Sequence, residues 1–312
     1  MEVDDVVIVG AARTPIGKYG GGLRGVHPVA LGATAAKAAL TRAGIDAASV
    51  DEVWFGHARQ AGSGPNPARQ VGHRAGLPHT VPAQTVNKAC ASGLQAIASG
   101  AQAIALGEAD VVLVGGIESM SRMPYLIDAE NARWGHRMGN VELVDAMYRD
   151  GFYCPLSDLM MGETAELLAR QYAISRKDSD LYALESQQRA EAAIAAGHFD
   201  AEIVPVEVTD RKGDVTLVTC DEHPRAGVTL ESLRKLEPVF EVEGHQGIIT
   251  AGSASGITDG GAALVLVSAS HAKLLGCRPL ARIAGWASAG VDPKIMGIGP
   301  VPAMQKLFGR LQ

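Results

Sequence analysis

The stretch from Ala91 to Leu106 contains no charged residue. Leu94, Ile97, Ala101 and Ile104 recur at helical spacing, and Ala96, Ser99, Gly100 and Ala103 line the opposite side. A helix uncharged all round is a buried helix, so this one is expected to be covered on both sides, an arrangement that two sheets would supply. The composition suits such layering. Of 312 residues, 47% are hydrophobic, 37 are glycine and only 4% of the chain is aromatic. Small side chains let layers approach closely where an aromatic-filled core would hold them apart. The length corresponds to roughly two domains.

The neighbours of this helix are strand-like. Pro82 to Val86 precedes it, and Val111 to Val114 follows and runs into Gly115-Gly116. Upstream, Val6 to Val9 predicts a buried strand, and Val29 to Ala43 an Ala-rich helix stopped by Gly44. Val53 to Phe55 predicts a strand, and Pro67 to Ala75 a helix. Strands alternating with helices indicate an α/β domain with a largely parallel sheet. The rhythm breaks after Met120. Residues 120–248 read as an inserted subdomain, with helices over Gly162 to Ala173 and Arg176 to Ala196 and a strand over Ile203 to Val208. Ser175 and Asp178 form an acidic capping box at the start of the second helix. Strands resume at Ala262 to Val267 and Leu280 to Trp286, and Pro302 to Leu311 starts a helix.

Charge and pattern exclude several classes. The net charge of −6 argues against general nucleic-acid binding, which needs a basic stripe. No apolar run is long enough to span a membrane, and the acidic start, Met-Glu-Val-Asp-Asp, is unlike a signal peptide. The cytoplasm is the expected compartment. Cys90, Cys154, Cys220 and Cys277 are far apart and form no CxxC pair, so reduced thiols and no metal site are expected.

Cys90 is the sharpest chemical feature. It lies in Asn87-Lys88-Ala89-Cys90-Ala91-Ser92-Gly93, between a strand and the start of the uncharged helix. A helix N-terminus offers free N–H groups and a positive dipole end, the setting of many nucleophilic thiols. From spacing alone, a nucleophile and a small buried hydrophobe are equally good readings. The nine histidines form no HExxH and no close pair that would mark a base for the thiol. Gly20-x-Gly22-x-x-Gly25 has the letters of a dinucleotide fingerprint, but it sits in a glycine run well past the first strand. No acidic residue follows at the required distance, so a mobile loop is expected. Gly115 to Ser121 and Thr250 to Gly256, with Asp259-Gly260-Gly261 behind the latter, are small-residue segments able to line a ligand with backbone groups.

Taken together, these segments resemble the thiolase family. The matching runs are Gly10 to Gly17, Gln60 to Gly62, Asn66 to Gln70, Asn87 to Gly93, Gly115 to Ser121, Met161 to Glu166, Thr250 to Gly261 and Met296 to Ala303. They span essentially the whole chain in family order, and are closer to acetyl-CoA acetyltransferases and 3-ketoacyl-CoA thiolases than to ketosynthases.

The resemblance implies an α/β thiolase fold of five layers, αβαβα, with an inserted loop domain and a truncated second half. Residues 1–119 and 249–269 would form the first thiolase domain, 120–248 the loop domain and 270–312 the start of the second thiolase domain. It implies that Cys90 carries the acyl group as a thioester. It places coenzyme A against Arg225, Ser232, Val239, Phe240, Ala251 and Ser255, with Arg225 at the nucleotide end and Ser255 facing the pantetheine arm. Coenzyme A and acyl-CoA are then substrates, no further cofactor or metal is implied, and a homo-oligomer, dimer or tetramer, is expected. The family's Asn-Glu-Ala-Phe and Gly-His-Pro segments and its second cysteine are not among these 312 residues. The sequence is therefore read as part of an acyltransferase, the alternatives being a non-catalytic acyl-CoA-binding scaffold or one half of a split enzyme.

Overall fold

The apolar runs assemble into one sheet, with helices formed between them, in the computed structural model, which describes residues 4–242 and 244–312. The chain divides into two units. The first comprises residues up to Met123 together with Phe199–His223 and Ile257–Ala284. The second comprises Pro124–His198, Pro224–Gly256 and Gly285–Gln312.

In the first unit the strands are β1 (Val6–Arg13), β2 (Glu52–Gly56), β3 (Ala83–Val86), β4 (Val111–Ser119), a hairpin of β5 (Val206–Thr209) and β6 (Val215–Val218), β7 (Thr258–Ser268) and β8 (Ala281–Arg282). Its longer helices are α1 (Pro28–Ala43), α2 (Pro67–Ala75) and α3 (Ser92–Ala105). A seven-stranded sheet runs in the order β8-β1-β7-β4-β2-β3, with Gly17–Lys18 pairing with the start of β7. Only β2 with β3 and β2 with β4 are parallel; β7 is antiparallel to both β1 and β4. The sheet is thus mixed, not largely parallel as the strand–helix rhythm predicts. Apolar periodicity reports which residues are buried and is blind to strand direction, and β7 reaches its place after a long stretch of intervening chain.

The two faces of the sheet are covered differently. Val111, Leu113, Ile117, Val265 and Val267 belong to one buried cluster with α1 and α2 residues such as Val29, Ala36 and Val71. Val112, Val114 and Leu266 face the other way, towards α3. A Cβ added at Gly100 would lie 2.6 Å from Val114 Cγ1 and 3.0 Å from Val112 Cγ1, so α3 rests directly on β4. Helix starts and stops follow local chemistry. His27 Nδ1 accepts from Val29 N–H at 3.3 Å ahead of Pro28, and Gly44, at φ 66°, closes α1.

Of the two-sided cover expected for α3, the described residues supply the sheet side. Ala96, Gly100, Ala101, Ala103 and Ile104 are buried, whereas Leu94 is 73% and Leu106 70% exposed. Among the described residues there is one large sheet, and the small-residue side of α3 faces it. Lack of bulk on that side is what permits the close approach.

Residues 199–223 lie with the sheet, although the composition places them in the insert. Val206 packs with the fully buried Leu23 and Leu31. Arg13, at the end of β1, bonds Glu202 Oε1 at 2.6 Å and both oxygens of Asp221 at 2.7 and 2.9 Å. β8 pairs with Val7 and Ile8, so residues 270–284 also join the first unit.

The second unit contains α4 (Met161–Gln171), α5 (Arg176–Ala195), α6 (Leu230–Arg234) and α7 (Pro300–Leu311). The predicted capping box forms. Ser175 Oγ accepts from Asp178 N–H at 3.1 Å and the Asp178 carboxylate from Ser175 N–H at 3.2 Å. The buried Glu166 carboxylate accepts from Ile248 and Ile249 N–H at 2.9 and 2.7 Å. Arg176 bonds Asp180 at 2.9 Å and the carbonyls of Leu233 and Leu236 at 2.8 and 2.9 Å, tying α5 to the end of α6. Among the described residues no helix is long and apolar enough to cross a membrane.

The Arg13–Asp221 pair makes the first unit sensitive to acid. Burial alone pushes the Asp221 carboxyl up, but hydrogen bonds from Arg13 and from Ile16 N–H outweigh it and hold the group below the usual carboxylate range. A depressed value contributes stability that is complete above the unfolded value of about 3.9 and is lost as pH falls through the folded value. Arg13→Met is expected to lower Tm at neutral pH, with the gap to wild type narrowing below about pH 4. A gap that stays constant from neutral to acid pH would remove the pair as its cause.

Candidate active site

The turn between β3 and α3 carries Cys90. Ala89 adopts a left-handed backbone with φ 47°, a strained state for a residue with a side chain. Ser92 closes the turn. Its hydroxyl accepts from Lys88 N–H at 2.8 Å and donates to the Ala89 carbonyl at 2.6 Å. Ala91 is the N-cap of α3 and supplies no side-chain acceptor. Cys90 is exposed and its thiol is free.

Cys90 opens into a cavity of about 300 Å³. Its other walls come from the end of β2 (Gly56), the end of β4 (Gly116 to Glu118) and the start of β7 (Gly260 to Ala262), with Arg13 and Arg59 at its margin. The parallel strands β2 and β4 end on this side and the antiparallel β7 begins there. It is the strand-end crevice in which α/β sheets bind ligands. Arg13 is committed to Asp221 and Glu202, so its charge is neutralised within the protein.

Glu118 organises the adjoining loop. Its carboxylate accepts from Ala58 N–H at 3.1 Å and Arg59 N–H at 3.2 Å, and His57 Nε2 lies 3.1 Å from Oε1. His57 is 1% exposed. Neither residue stands out in the sequence. The local run around Gly115 to Ser121 suggests ligand-lining backbone, not a buried carboxylate contact with a histidine sixty positions earlier. Only the parallel pairing of β2 with β4, which sets Gly56 opposite Gly116, brings them together.

The Gly20 to Gly25 loop is pinned, not the mobile loop its glycines suggest. Glu222 accepts from Lys18 N–H at 3.0 Å and Gly22 N–H at 2.9 Å, and Gly20 N–H donates to Ser121 Oγ at 3.0 Å. The partner is two hundred residues away, beyond the reach of a local sequence reading.

The remaining predicted residues all lie in the second unit, whereas Cys90 lies in the first. Arg225 is exposed and its N–H donates to Gln187 Oε1 at 3.0 Å. Ser232 stands on α6, where its hydroxyl accepts from Thr229 N–H at 3.1 Å and donates to the Thr229 carbonyl at 2.7 Å. Val239 N–H donates to the Ile249 carbonyl at 2.8 Å, and Pro238 pairs with Thr250, which sets Val239 beside the turn holding Ala251. Phe240 lies over Gly162, where any Cβ would strike its ring. The same turn reaches α6, because a Cβ at Gly252 would meet Leu233 and Leu236. Ser232, Val239 and Ala251 therefore share one neighbourhood, with Val239, Ala251 and Ser255 exposed. Among the described residues no three His, Cys, Asp or Glu side chains converge on a metal position.

Known proteins are similar to this chain in sequence and fold. Residues 6–270 match the family described as thiolase, N-terminal domain. An acetyl-CoA acetyltransferase of Pseudomonas aeruginosa is 50% identical over 308 residues, 99% of this chain and 77% of that protein. The crystal structure of the Bacillus anthracis acetyl-CoA acetyltransferase superposes with TM-score 0.92 at 45% identity, covering 97% of this chain and 75% of the other. Human mitochondrial 3-ketoacyl-CoA thiolase superposes with TM-score 0.93 at 42% identity, covering 100% of this chain and 77% of its own.

Two glycines of the cavity wall are unequal. A Cβ at Gly56 would lie 2.3 Å from Ser92 C and 2.4 Å from Gly93 N, so it would push the first turn of α3 off the sheet. A Cβ at Gly116 would meet nothing nearer than Gly93 Cα at 3.5 Å. Gly56→Ala is expected to cost about 1–3 kcal/mol, the usual penalty of overpacking, while Gly116→Ala is close to neutral in urea unfolding. Equal losses would show that α3 does not depend on Gly56 for its approach.

Proposed function

The chain belongs to the thiolase family, and on that premise we propose that Cys90 is the nucleophile that carries the acyl group, with coenzyme A thioesters as substrates. The protein is an acyltransferase of the thiolase type with a mixed α/β thiolase fold. The observation that supports the role of Cys90 is its position. An exposed thiol at the N-terminal end of α3 faces a strand-end cavity of about 300 Å³ whose lining includes Gly56, Gly93, Gly116, Gly260 and Gly261. In the first half-reaction the Cys90 sulfur attacks the thioester carbonyl. The bond from that carbon to the coenzyme A sulfur breaks, and coenzyme A leaves as the thiol with the proton given up by Cys90. In synthesis the acyl group on Cys90 then passes to the α-carbon of acetyl-CoA: its bond to the Cys90 sulfur breaks, a carbon–carbon bond forms, and the proton lost from the α-carbon returns to the thiol. In cleavage the Cys90 sulfur instead attacks the 3-keto carbon of a 3-ketoacyl-CoA, the carbon–carbon bond breaks and acetyl-CoA leaves with the proton from Cys90, and the acyl group then passes to the sulfur of coenzyme A, whose proton returns to Cys90.

The coenzyme A contacts proposed are Arg225, Ser232, Val239, Phe240, Ala251 and Ser255. An exposed guanidinium at Arg225 suits the nucleotide phosphates. The exposed Val239, Ala251 and Ser255 offer a small, mostly apolar surface for the pantetheine arm. A homo-oligomer in the cytoplasm, using no metal and no cofactor besides its coenzyme A substrate, completes the reading. A non-catalytic acyl-CoA-binding scaffold is not favoured, given the acetyltransferase relatives matched over nearly the whole chain.

Incubation with acetyl-CoA followed by peptide mass spectrometry is expected to place an acetyl group on Cys90, and Cys90→Ala to abolish it. Acetylation that persists in Cys90→Ala would transfer the role to another thiol. Arg225→Ala is expected to weaken binding of coenzyme A more than binding of pantetheine. Equal losses for the two ligands would remove Arg225 from the nucleotide end.

A further inference from the structure

We propose that Asn87 is a positioning residue for Cys90, holding Ala89 in its left-handed backbone through a bridge that ends on Glu118. The inference rests on the reading of Cys90 as the acyl carrier. It starts from a cost. Ala89 has a Cβ and sits at φ 47°, a conformation an alanine does not choose by itself. Something must supply the restraint, and the residue next in sequence after Ala89 is the nucleophile.

The side chain of Asn87 supplies it from both ends. Its Oδ1 accepts from Ala89 N–H at 3.1 Å, and its Nδ2 donates to the Ala58 carbonyl at 3.0 Å. Ala58 is itself fixed, because its N–H donates to Glu118 Oε2 at 3.1 Å and the next N–H, of Arg59, donates to Oε1 at 3.2 Å. His57, which precedes Ala58, bonds the Val86 carbonyl through its N–H at 3.0 Å, continuing the β2–β3 pairing up to Asn87. A carboxylate on β4, a loop after β2 and an amide after β3 thus form one connected path to the peptide before Cys90. Ser92 holds the other side of the same turn. Asparagine fits this post because one planar amide presents an acceptor and a donor at once. Aspartate keeps the acceptor and loses the donor, and alanine loses both.

Glycine adopts positive φ without steric cost, which supplies a diagnostic rescue. The experiment uses the 312-residue chain and two readouts: the second-order rate of Cys90 alkylation by iodoacetamide, and the rate of Cys90 acetylation by acetyl-CoA, both with site assignment by mass spectrometry. Asn87→Ala is expected to slow alkylation by about tenfold, the loss of roughly one or two net hydrogen bonds, with a thermal melt that remains cooperative. Asn87→Asp is expected to fall between alanine and wild type. Adding Ala89→Gly to Asn87→Ala is expected to recover most of the rate, because the turn then needs no clamp. An unchanged rate in Asn87→Ala overturns the proposal. So does a double variant no faster than the single one, since Asn87 would then not act through Ala89. Should Asn87→Ala melt without cooperativity, Asn87→Asp and its pairing with Ala89→Gly decide by the same criteria. Wild-type protein that is alkylated at Cys90 in an Asn87-dependent way but takes no acetyl group supports the positioning role and overturns only the acyl-carrier reading.

Discussion

Close contact between α3 and the sheet is the constraint on which the first unit depends. Gly56 and Gly100 leave no room for a Cβ between helix and sheet: at Gly56 it would strike the Ser92–Gly93 backbone, and at Gly100 the side chains of Val112 and Val114. That approach brings the N-terminal end of α3 to the C-terminal ends of the two parallel strands. Cys90 then lines a crevice formed with Gly56, Gly116 and the start of β7. Larger residues would lift the helix, and the thiol with it, by the width of a side chain. Packing density and chemistry therefore share one set of glycines.

Polar groups secure what packing alone leaves loose. Arg13 is held by Asp221 and Glu202, and Glu222 gathers the N–H groups of Lys18 and Gly22. These contacts fix residues 199–223 against the start of the chain. Glu118 plays the same part beside the cavity, receiving two N–H groups from one loop. Glu222 and Glu118 satisfy backbone donors, as Asp221 does for Ile16 N–H beside the Arg13 guanidinium, where an unmet donor would be costly. The bonds are long-range in sequence, and they set the loops on which the site is built.

How much of the site could be read beforehand varied by residue. The place of Cys90 between a strand and a helix was legible because strand, thiol and helix follow one another directly, a local pattern. The α5 capping box at Ser175 and Asp178 was legible for the same reason. His57 with Glu118, and Asn87 with Ala58, were not. Each contact joins segments that meet only through strand pairing, and neither residue of a pair carries a distinguishing neighbour. On the outward side of α3, hydrophobic periodicity marks apolar residues without saying which side is pressed against a partner within these residues. Leu94 and Leu106 are exposed while Gly100 is buried.

The amino-acid sequence by itself determined the elements, their ends and the family. Proline starts, glycine stops, apolar runs and the motif around Cys90 are encoded within a few residues of one another, where short-range sterics and hydrogen bonding act. Tertiary structure decided strand direction, the division of the insert between two units, the left-handed turn at Ala89 and the carboxylates that bind the loops. Those depend on which distant segments become neighbours in the sheet. The free energy that settles that choice is burial and hydrogen bonding summed over many residues, so no single stretch of the chain records it.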